Sequence, residues 1–333
     1  MSNLNIPVSV LNLAPIRQGE GPREAINAVV ELAQATEQMG YTRYWIAEHH
    51  NAPNLVSSAT SILINHTLEH TEKIRLGSGG IMLPNHSPLV VAEQFGTMAT
   101  IYGDRLDLGL GRAPGTDMLT ASALRRSKHD SVYTFPEDVK SLLNYFGSDE
   151  QQGYVKAYPG AGTQIPIYIL GSSTDSAYLA ASLGLPYVFA SHFAPRHMAE
   201  AIQIYRNRFQ PSAYLDKPYM MVCLNVIAAE SDEEAEREST TLLQFFLNVV
   251  RGSQTPLQPP IEDIEAIWSP QEKEMALSMT SVSFVGGKET IRSQFQSFQD
   301  KYNVDEIMAV TYMYDRGKQI RSYEILKEVV DGR

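Results

Sequence analysis

The feature that most constrains the fold is an alternation of short apolar segments with helix-like segments along the whole chain. Eight strand-like segments end near positions 12, 47, 79, 110, 169, 189, 226 and 310, and each is followed by a stretch with helical periodicity. Repeated strand–helix units build a parallel sheet, and eight of them favour a closed (β/α)8 barrel. The alternative is an open doubly wound sheet, which usually has fewer strands before a second domain begins. We therefore expect residues 1–333 to form a single barrel domain.

Two irregular regions interrupt the alternation, one after the fourth strand and one after the seventh. They run over residues 117–164 and 252–283. Both insertions would lie over the carboxyl-terminal mouth of a barrel, where barrel enzymes place specificity loops and lids. Their apolar side chains suggest either a lipophilic pocket or a lid that packs on itself, and they include Phe135, Tyr154, Tyr158, Leu257 and Trp268.

Charge and cysteine content narrow the class of protein. With 38 acidic and 27 basic residues the formal net charge is -11, which repels a phosphate backbone and argues against nucleic-acid binding. The chain has no membrane-length apolar run and its first residues do not resemble a signal peptide, so we expect no membrane association and a cytoplasmic location. Cys223 is the only cysteine, which excludes an intrachain disulfide, and its apolar surroundings predict a buried thiol.

The third and fourth strands end in small residues that mark a ligand site. The third ends at Gly79 and Gly80, and the fourth ends at Gly111 followed by Arg112. Missing side chains at strand ends let a bulky planar ligand or a phosphate approach the backbone, and the Arg112 guanidinium is a forked donor for such an anion. The alternatives are a bulge at the glycine pair and an ion pair between Arg112 and Asp107.

The turn after the fifth strand has the chemistry of a phosphate site. Residues 171–176 read GSSTDS and open a helix, so backbone N–H groups, the positive helix end and the hydroxyls of Ser172, Ser173 and Ser176 converge. Serines at helix starts are often only caps, but this turn would share the barrel mouth with Arg112. Gly286 and Gly287, before a later helix, form a rival phosphate site that we rank second.

Charged and imidazole groups end the second strand, at Glu48, His49 and His50. Adjacent residues of a strand point to opposite sides, so at most one of the two histidines faces the barrel axis. This spacing argues against a metal site, and we predict none. A histidine at the carboxyl end of a barrel strand is well placed for acid/base catalysis, although both histidines could instead serve only backbone groups.

At these residues the chain resembles the bacterial luciferase-like flavin-dependent monooxygenases. The resemblance covers nearly the whole chain, through the motifs LNLAP, YWIAEHH, LGSGGIMLPNHSPLVVAEQ, RLDLGLGRAPG, ILGSS and RSYEIL. It is closest to single-subunit-type members that carry GRAPG. The resemblance implies a TIM barrel and a homodimer that binds reduced FMN supplied by a separate NAD(P)H:flavin reductase, and that uses O2 to oxygenate an organic substrate.

The resemblance also implies roles for individual residues. His49 matches the catalytic histidine beside the flavin ring, and Gly79 and Gly80 match a pair joined by a non-prolyl cis peptide beneath the ring. Arg112 matches the arginine on the FMN phosphate. The other matched cofactor-binding positions are Asn12 and Ala14, which would border the ring, and Ser172, Ser173 and Ser176, which would hold the phosphate.

Two positions depart from the luciferase pattern. Gly111 stands where luciferase has a reactive cysteine, and Ser172 replaces a glutamate at the phosphate turn. Both departures indicate a relative of luciferase and not a light emitter. The insertion at residues 252–283 would be the family's mobile loop, which excludes water during the reaction.

The sequence therefore predicts a monooxygenase that uses reduced FMN and O2 on a small, lipophilic substrate, with His49 as the acid/base group. Two alternatives stay open. One is hydride transfer with a deazaflavin cofactor, which some barrels of this superfamily perform without oxygen. The other is a flavin-binding or flavin-storage protein without turnover.

Overall fold

The computed structural model describes residues 5–113, 115–124 and 134–333. Within these ranges the strands are β1 (Val8–Asn12), β2 (Arg43–Ile46), β3 (Arg75–Met82), β4 (Leu106–Gly111), β5 (Ile167–Gly171), β6 (Tyr187–Ala190), β7 (Met220–Ala228), β8 (Ser283–Gly286) and β9 (Glu306–Val310). The α-helices are α1 (Pro22–Gln38), α2 (Thr60–Glu69), α3 (Pro88–Tyr102), α4 (Met118–Leu124), α5 (Phe135–Tyr145), α6 (Thr174–Leu183), α7 (Met198–Arg208), α8 (Asp232–Val250), α9 (Pro270–Met279), α10 (Lys288–Tyr302) and α11 (Arg316–Val330).

Eight of the strands close into a parallel barrel with helices around it. The order around the ring is β1, β2, β3, β4, β5, β6, β7 and β9, and β9 pairs with β1. The ring closes where β6 pairs with β7, with Phe189 opposite Val222. This confirms the predicted (β/α)8 TIM barrel, with insertions after the fourth and seventh strands. Residues 125–133, within the first insertion, lie outside the described ranges.

One strand was missing from the prediction. β8 does not belong to the ring and pairs only with the second half of β7, from Asn225 to Ala228. The first half of β7 pairs with β6, so the nine residues of β7 serve two neighbours in succession. β8 returns the chain from the second insertion to α10.

The helices begin and end where the sequence offers suitable caps. α3 begins at Pro88 and ends at Tyr102. The next residue is Gly103, whose φ of 74° is favourable only for a residue without a side chain. Ser231 accepts a hydrogen bond from the Glu234 N–H and caps α8, as the capping-box pattern predicts.

Strand alternation separates two apolar cores. Side chains that point outward pack against the helices, and examples are Val10, Tyr44 and Leu76. Side chains that point inward fill the barrel, and they include Leu11, Leu13, Trp45, Ala47, Tyr168, Val188, Met221, Cys223 and Met308. The two sets alternate along each strand, as expected for a barrel with helices outside and packed side chains inside.

Buried ion pairs occupy the amino-terminal end of the barrel. Arg43 Nε lies 2.8 Å from Glu306 Oε1, and Arg43 Nη1 lies 2.8 Å from Asp107 Oδ2. Arg75 reaches the other oxygen of Asp107 at 2.7 Å. Two cations and two anions therefore balance one another, and neutral groups complete the network: Ser9, Trp45, Tyr168 and Tyr219.

The search for membrane spans, limited to the described residues, finds no helix with the length and apolar character needed to cross a bilayer.

Candidate active site

A cavity of about 630 Å³ lies at the carboxyl-terminal end of the barrel, opposite the buried ion pairs. Seven strands of the ring contribute a side chain or a glycine to its wall, and the segment just after β2 contributes Ala47 and His49. The carboxyl-terminal part of α8, residues 252–255 and Met279 of α9 complete the wall on the side of β7 and β9. The cavity is therefore a single chamber between the strand ends and the second insertion.

The structure places His49 in this cavity and its two neighbours outside the wall. Inward-pointing Trp45 and Ala47 precede His49 at spacings of two, so alternation along β2 aims His49 at the axis. Its Nδ1 atom is buried and has no hydrogen-bond partner among the described residues. Burial lowers the pKa of His49, so the ring is neutral and able to accept a proton.

Glu48 and His50 point away from the cavity and form a cluster with His86. Both Nε2 atoms lie 2.8 Å from Glu48 Oε1, and the Met82 N–H donates to Oε2 at 3.2 Å. Burial alone would raise the pKa of Glu48, but these hydrogen bonds outweigh it and lower that pKa to about 2. The same three side chains could surround a divalent ion. Their contacts, however, are those of a carboxylate already satisfied by N–H donors, so the arrangement needs no metal.

Arg112 and the serine turn meet at the cavity edge between β4 and β5. Arg112 Nη2 lies 3.2 Å from Asp175 Oδ2 in the first turn of α6, and both side chains are exposed. The alternative pairing of Arg112 with Asp107 is excluded, since Asp107 is held by Arg43 and Arg75 at the other end of the barrel. Arg112 is thus free to turn toward an anion at the start of α6.

The predicted serines line the same edge. Ser173 is the N-cap position of α6 and makes no side-chain cap hydrogen bond, so its hydroxyl is available. Ser176 Oγ donates to the Ser173 carbonyl at 2.8 Å and lies 2.9 Å from the Tyr187 hydroxyl. Ser172 also lies in the wall. The free N–H groups of the first helical turn complete an anion-binding edge.

Gly79 and Gly80 form the floor of the cavity beside β4. The peptide bond between them is cis, as the resemblance implies, and the pairing of β3 with β4 shifts register between Ser78 and Ile81. A Cβ on Gly80 would lie 2.8 Å from the Gly109 carbonyl oxygen. No larger residue fits there without moving the backbone of β4.

The rival phosphate site at Gly286 and Gly287 is occupied by a side chain of the protein. Asp232 Oδ1 accepts the Gly287 N–H at 2.7 Å, and Asp232 Oδ2 accepts the Thr290 hydroxyl at 3.0 Å. A carboxylate from α8 thus already fills the anion position at the start of α10. This turn is a structural link between α8 and α10.

Asn12 and Ala14 do not line the cavity, contrary to the prediction. The Asn12 amide donates to the Tyr44 hydroxyl at 2.5 Å and accepts the Ala14 N–H at 2.7 Å, on the outer side of β1. Leu11 and Leu13 occupy the wall instead. Alternation is the physical reason, because a strand that turns Leu11 inward must turn Asn12 outward.

The apolar side chains named in the insertions also lie elsewhere. Phe135 and Leu257 are buried in the apolar cores, Tyr154 and Tyr158 are exposed, and none of the five suggested side chains lines the cavity. The aromatic wall is built by residues that the sequence interpretation did not single out: Phe193, Phe245, Phe246 and Tyr312.

Sequence reasoning missed His192, which follows β6. It lines the cavity, is only 6% exposed, and its Nδ1 atom has no partner among the described residues. Burial, with a smaller contribution from His49, lowers its pKa to about 3. A signal was present, because Val188, Ala190 and His192 share the inward parity of β6.

Comparison with known proteins agrees with this geometry. Residues 7–302 match the family model described as luciferase-like monooxygenase. An Escherichia coli K12 protein named luciferase-like monooxygenase is 46% identical over 329 residues, which cover 99% of this chain and 98% of the relative. The uncharacterised Bacillus subtilis protein YddN is 50% identical over 324 residues, or 97% of this chain and 96% of the relative. The crystal structure of apo-MsnO8 matches with a TM-score of 0.87 and 31% identity over 98% of each chain.

Two more distant structures share the fold and carry different cofactors. The oxygenating constituent of 3,6-diketocamphane monooxygenase from Pseudomonas putida, in complex with FMN, matches with a TM-score of 0.72 at 16% identity over 99% of this chain and 98% of that one. An F420-dependent secondary alcohol dehydrogenase, in complex with an F420-acetone adduct, matches with a TM-score of 0.71 at 14% identity over 98% and 99%. Proteins of this fold thus bind FMN or the deazaflavin F420.

Proposed function

The chain belongs to the luciferase-like monooxygenase family and is an oxidoreductase, and from this premise we propose that it uses reduced FMN and O2 to oxygenate a small lipophilic molecule. One observation carries the proposal. A single cavity joins an anion-binding edge at Arg112 and α6, a glycine floor, and the unpartnered His49. These are the three kinds of surface that a phosphorylated planar cofactor needs.

The anion-binding edge fits the FMN phosphate. Arg112 would turn from the exposed Asp175 carboxylate to the phosphate, since an exposed ion pair contributes little free energy. Ser172, Ser173, Ser176 and the N–H groups of α6 would supply the remaining donors. In this arrangement the phosphate sits between β4 and β5.

The glycine floor and His49 fit the flavin ring. Gly79 and Gly80 present backbone without side chains, so a planar ring can lie against them. The buried Nδ1 of His49 is an orphaned polar atom that a ligand in the cavity would satisfy. His49 would act as the acid/base group there, receiving a proton at Nδ1 or donating it back.

The protein and the cofactor would make different contributions to the reaction. Bound reduced FMN would supply the electrons that activate O2. The protein would orient the ring, hold a proton at His49 and exclude water with the residues that close the cavity, 252–255 and the end of α8. In this proposal residues 1–333 form a single domain, and the active form is a cytoplasmic homodimer. A separate NAD(P)H:flavin reductase supplies its reduced FMN.

The lining favours a lipophilic substrate. Among the described residues, Arg112 is the only Arg, Lys, Asp or Glu that lines the cavity, and His49 and His192 are its only histidines. The aromatic side chains on the side of β6, β7 and β9 offer apolar surface, and an apolar substrate body gains free energy when it is buried there.

The second candidate is hydride transfer with the deazaflavin F420, favoured by the F420-dependent structures that share this fold. The two reactions differ in their use of oxygen, which only the FMN reaction consumes. The third candidate, a flavin-binding or storage protein, would bind FMN without oxygenating any substrate.

The deciding experiment is an anaerobic titration of the purified protein with reduced FMN and, separately, with reduced F420. Each complex is then mixed rapidly with oxygenated buffer while the absorbance spectrum is recorded. The proposal expects tight binding of reduced FMN and a transient spectrum distinct from both reduced and oxidised flavin. Preference for F420 would favour hydride transfer, and FMN binding without a transient would favour storage.

A further inference from the structure

We propose that His192 contacts the organic substrate, and that its imidazole selects neutral molecules carrying a carbonyl or hydroxyl oxygen. The proposal rests on the proposed function and narrows it from lipophilic substrates in general to this class. It starts from a buried polar side chain that aims into the cavity and has no assigned role.

The position of His192 in the ring places it across the cavity from His49. His49 follows β2 and His192 follows β6, and three strands separate β2 from β6 in either direction around the ring. The two imidazoles therefore approach from opposite walls. Both rings line the same cavity, and the charge of His49 makes a minor contribution to the lowered pKa of His192.

The backbone at His192 is fixed while its ring is left without a partner. The His192 carbonyl accepts a hydrogen bond from Asn225 Nδ2 at 2.8 Å, and Ser191 Oγ donates to the Cys223 carbonyl at 2.6 Å. The Phe193 ring packs edge-on at 4.8 Å. The buried Nδ1 atom of His192 has no hydrogen-bond partner among the described residues. A ligand that hydrogen-bonds the ring would recover the free energy that this burial costs.

The chemistry of the ring defines the ligand. Burial lowers the pKa of His192 to about 3, so the ring is uncharged near neutral pH. A neutral imidazole offers one N–H donor and one bare nitrogen acceptor, so it suits a carbonyl oxygen or a hydroxyl group. A neutral imidazole offers no charge to a carboxylate or an ammonium group. Among the described residues, the wall from β6 to β9 contains no Arg, Lys, Asp or Glu side chain.

The surfaces beside His192 define the rest of the molecule. Val188, Phe193, Phe245 and Tyr312 are apolar neighbours in the same wall. An apolar body bearing one hydrogen-bonding oxygen therefore matches this part of the cavity, whereas the edge between β4 and β5, at Arg112, matches an anion.

The test compares two probes that differ only in the oxygen. Acetophenone carries C=O where α-methylstyrene carries C=CH2, so their shapes are nearly the same. Binding of each to the purified full-length protein is measured by NMR with isotope-labelled histidine, which reports on all eight histidines. We expect acetophenone to bind about 3- to 10-fold more tightly, as one hydrogen bond predicts, and to shift the ring signals of His192.

Two variants assign the effect. His192→Phe keeps an aromatic ring and removes both nitrogens, so the preference for acetophenone should vanish while α-methylstyrene binding stays within about 2-fold. His197→Phe alters a half-exposed histidine outside the cavity wall and should change neither affinity.

Three results would overturn the proposal: equal affinity of the two probes for the unaltered protein, no measurable binding of acetophenone, or a preference that survives in His192→Phe. The flavin proposal fails separately. If reduced FMN does not bind in the anaerobic titration, the flavin proposal is wrong, whatever the affinities of the two probes.

Discussion

At the scale of single residues, Glu48 and His49 show how one strand end serves two purposes. His49 faces the cavity with a neutral ring, whereas Glu48 faces the other way and holds His50 and His86. The carboxylate beside His49 in sequence is therefore not its hydrogen-bond partner. Its hydrogen bonds instead join the loop after β2 to the segment after β3, and this fixes the end of β2 that carries His49.

The Glu48 cluster predicts a pH-dependent contribution to stability. The carboxyl group titrates near 4.5 in the unfolded chain and near 2 in the folded protein, so the contribution is complete above pH 4.5 and is lost as the pH falls toward 2. Glu48→Gln should remove about 3 kcal/mol of unfolding free energy at neutral pH, and the difference from the unaltered protein should shrink below pH 4.5. Urea unfolding at a series of pH values measures it.

The matched control for that series is Glu274→Gln, which alters an exposed glutamate of α9. It should leave the unfolding free energy within about 0.5 kcal/mol at every pH. A difference between Glu48→Gln and the unaltered protein that does not vary with pH would contradict the assignment of the lowered pKa to Glu48.

Arg112 predicts a selective effect on phosphorylated flavin. Arg112→Ala should weaken FMN binding about 10- to 100-fold, because a charge-assisted contact to the phosphate is lost, and should weaken riboflavin binding less than about 3-fold. Fluorescence titration with both flavins measures the two changes. Arg196→Ala removes an exposed arginine that does not line the cavity and should change neither. Equal losses for FMN and riboflavin would argue against the phosphate role.

The residues of the candidate site show which side-chain positions can be predicted from the sequence alone. His49, Gly79, Gly80, Arg112 and the serine turn were predicted to share the barrel mouth, and they line one cavity. Asn12 was misplaced and His192 was overlooked, although alternation along β1 and β6 determines both orientations. His49 was assigned through the resemblance, since alternation alone left open which of His49 and His50 faces the axis. His192 lies in none of the motifs that carry the resemblance. β2 and β6 are each only four residues long, which is too few to fix the inward side before the barrel axis is known.

At the scale of elements, the junction of β5 with α6 depends on a close approach that only glycine permits. A Cβ on Gly171 would lie 1.9 Å from Ser176 Oγ, the hydroxyl that ties the start of α6 to Tyr187 and to the Ser173 carbonyl. Any side chain at Gly171 must therefore displace the first turn of α6. The anion-binding edge is built on that turn.

The close contact between Gly171 and Ser176 predicts the effect of adding one methyl group at position 171. Gly171→Ala should weaken FMN binding about 10-fold by shifting the N–H donors of α6, with a smaller effect on riboflavin. Gly153→Ala is the matched control, since a Cβ there meets nothing within 4 Å. Isothermal titration with both flavins measures the changes. An unaltered FMN affinity in Gly171→Ala would mean that α6 does not bind the phosphate.

The count of strands shows why elements are harder to predict than residue positions. Within the described residues, a single α-helix separates one ring strand from the next in five places, and the periodicity reveals these units. β8 is four residues long, ends at Gly286 and is followed by Gly287. It forms only because β7 extends beyond β6 and leaves an edge to pair with. That edge is a consequence of the closed barrel. A local pattern cannot predict it.

At the scale of the whole molecule, the barrel separates stability from binding along its axis. The amino-terminal end is sealed by Arg43, Arg75, Asp107 and Glu306, and the carboxyl-terminal end holds the cavity. Removing one member of the ionic network leaves an uncompensated buried charge, which is costly in free energy. Changes at one end should therefore leave the other end intact.

Arg43→Met tests this separation. We expect it to lower the unfolding free energy by about 3 to 5 kcal/mol, since Glu306 loses its cation, while the affinity of the folded protein for FMN at low temperature stays within about 2-fold. Arg237→Met breaks an exposed ion pair with Glu262 and should cost less than about 1 kcal/mol. Thermal unfolding followed by circular dichroism, with FMN titration at 10 °C, provides both measurements. A large loss of FMN affinity in Arg43→Met would show that the two ends are coupled.

The position of Cys223 has a practical consequence. This thiol is the only one in the chain, and it is buried in the cavity wall with its pKa raised by burial. An uncharged alkylating dye must enter the cavity to reach this thiol, so the labelling rate at fixed pH measures access to the cavity. Slower labelling with FMN present would measure how far the bound cofactor blocks that access.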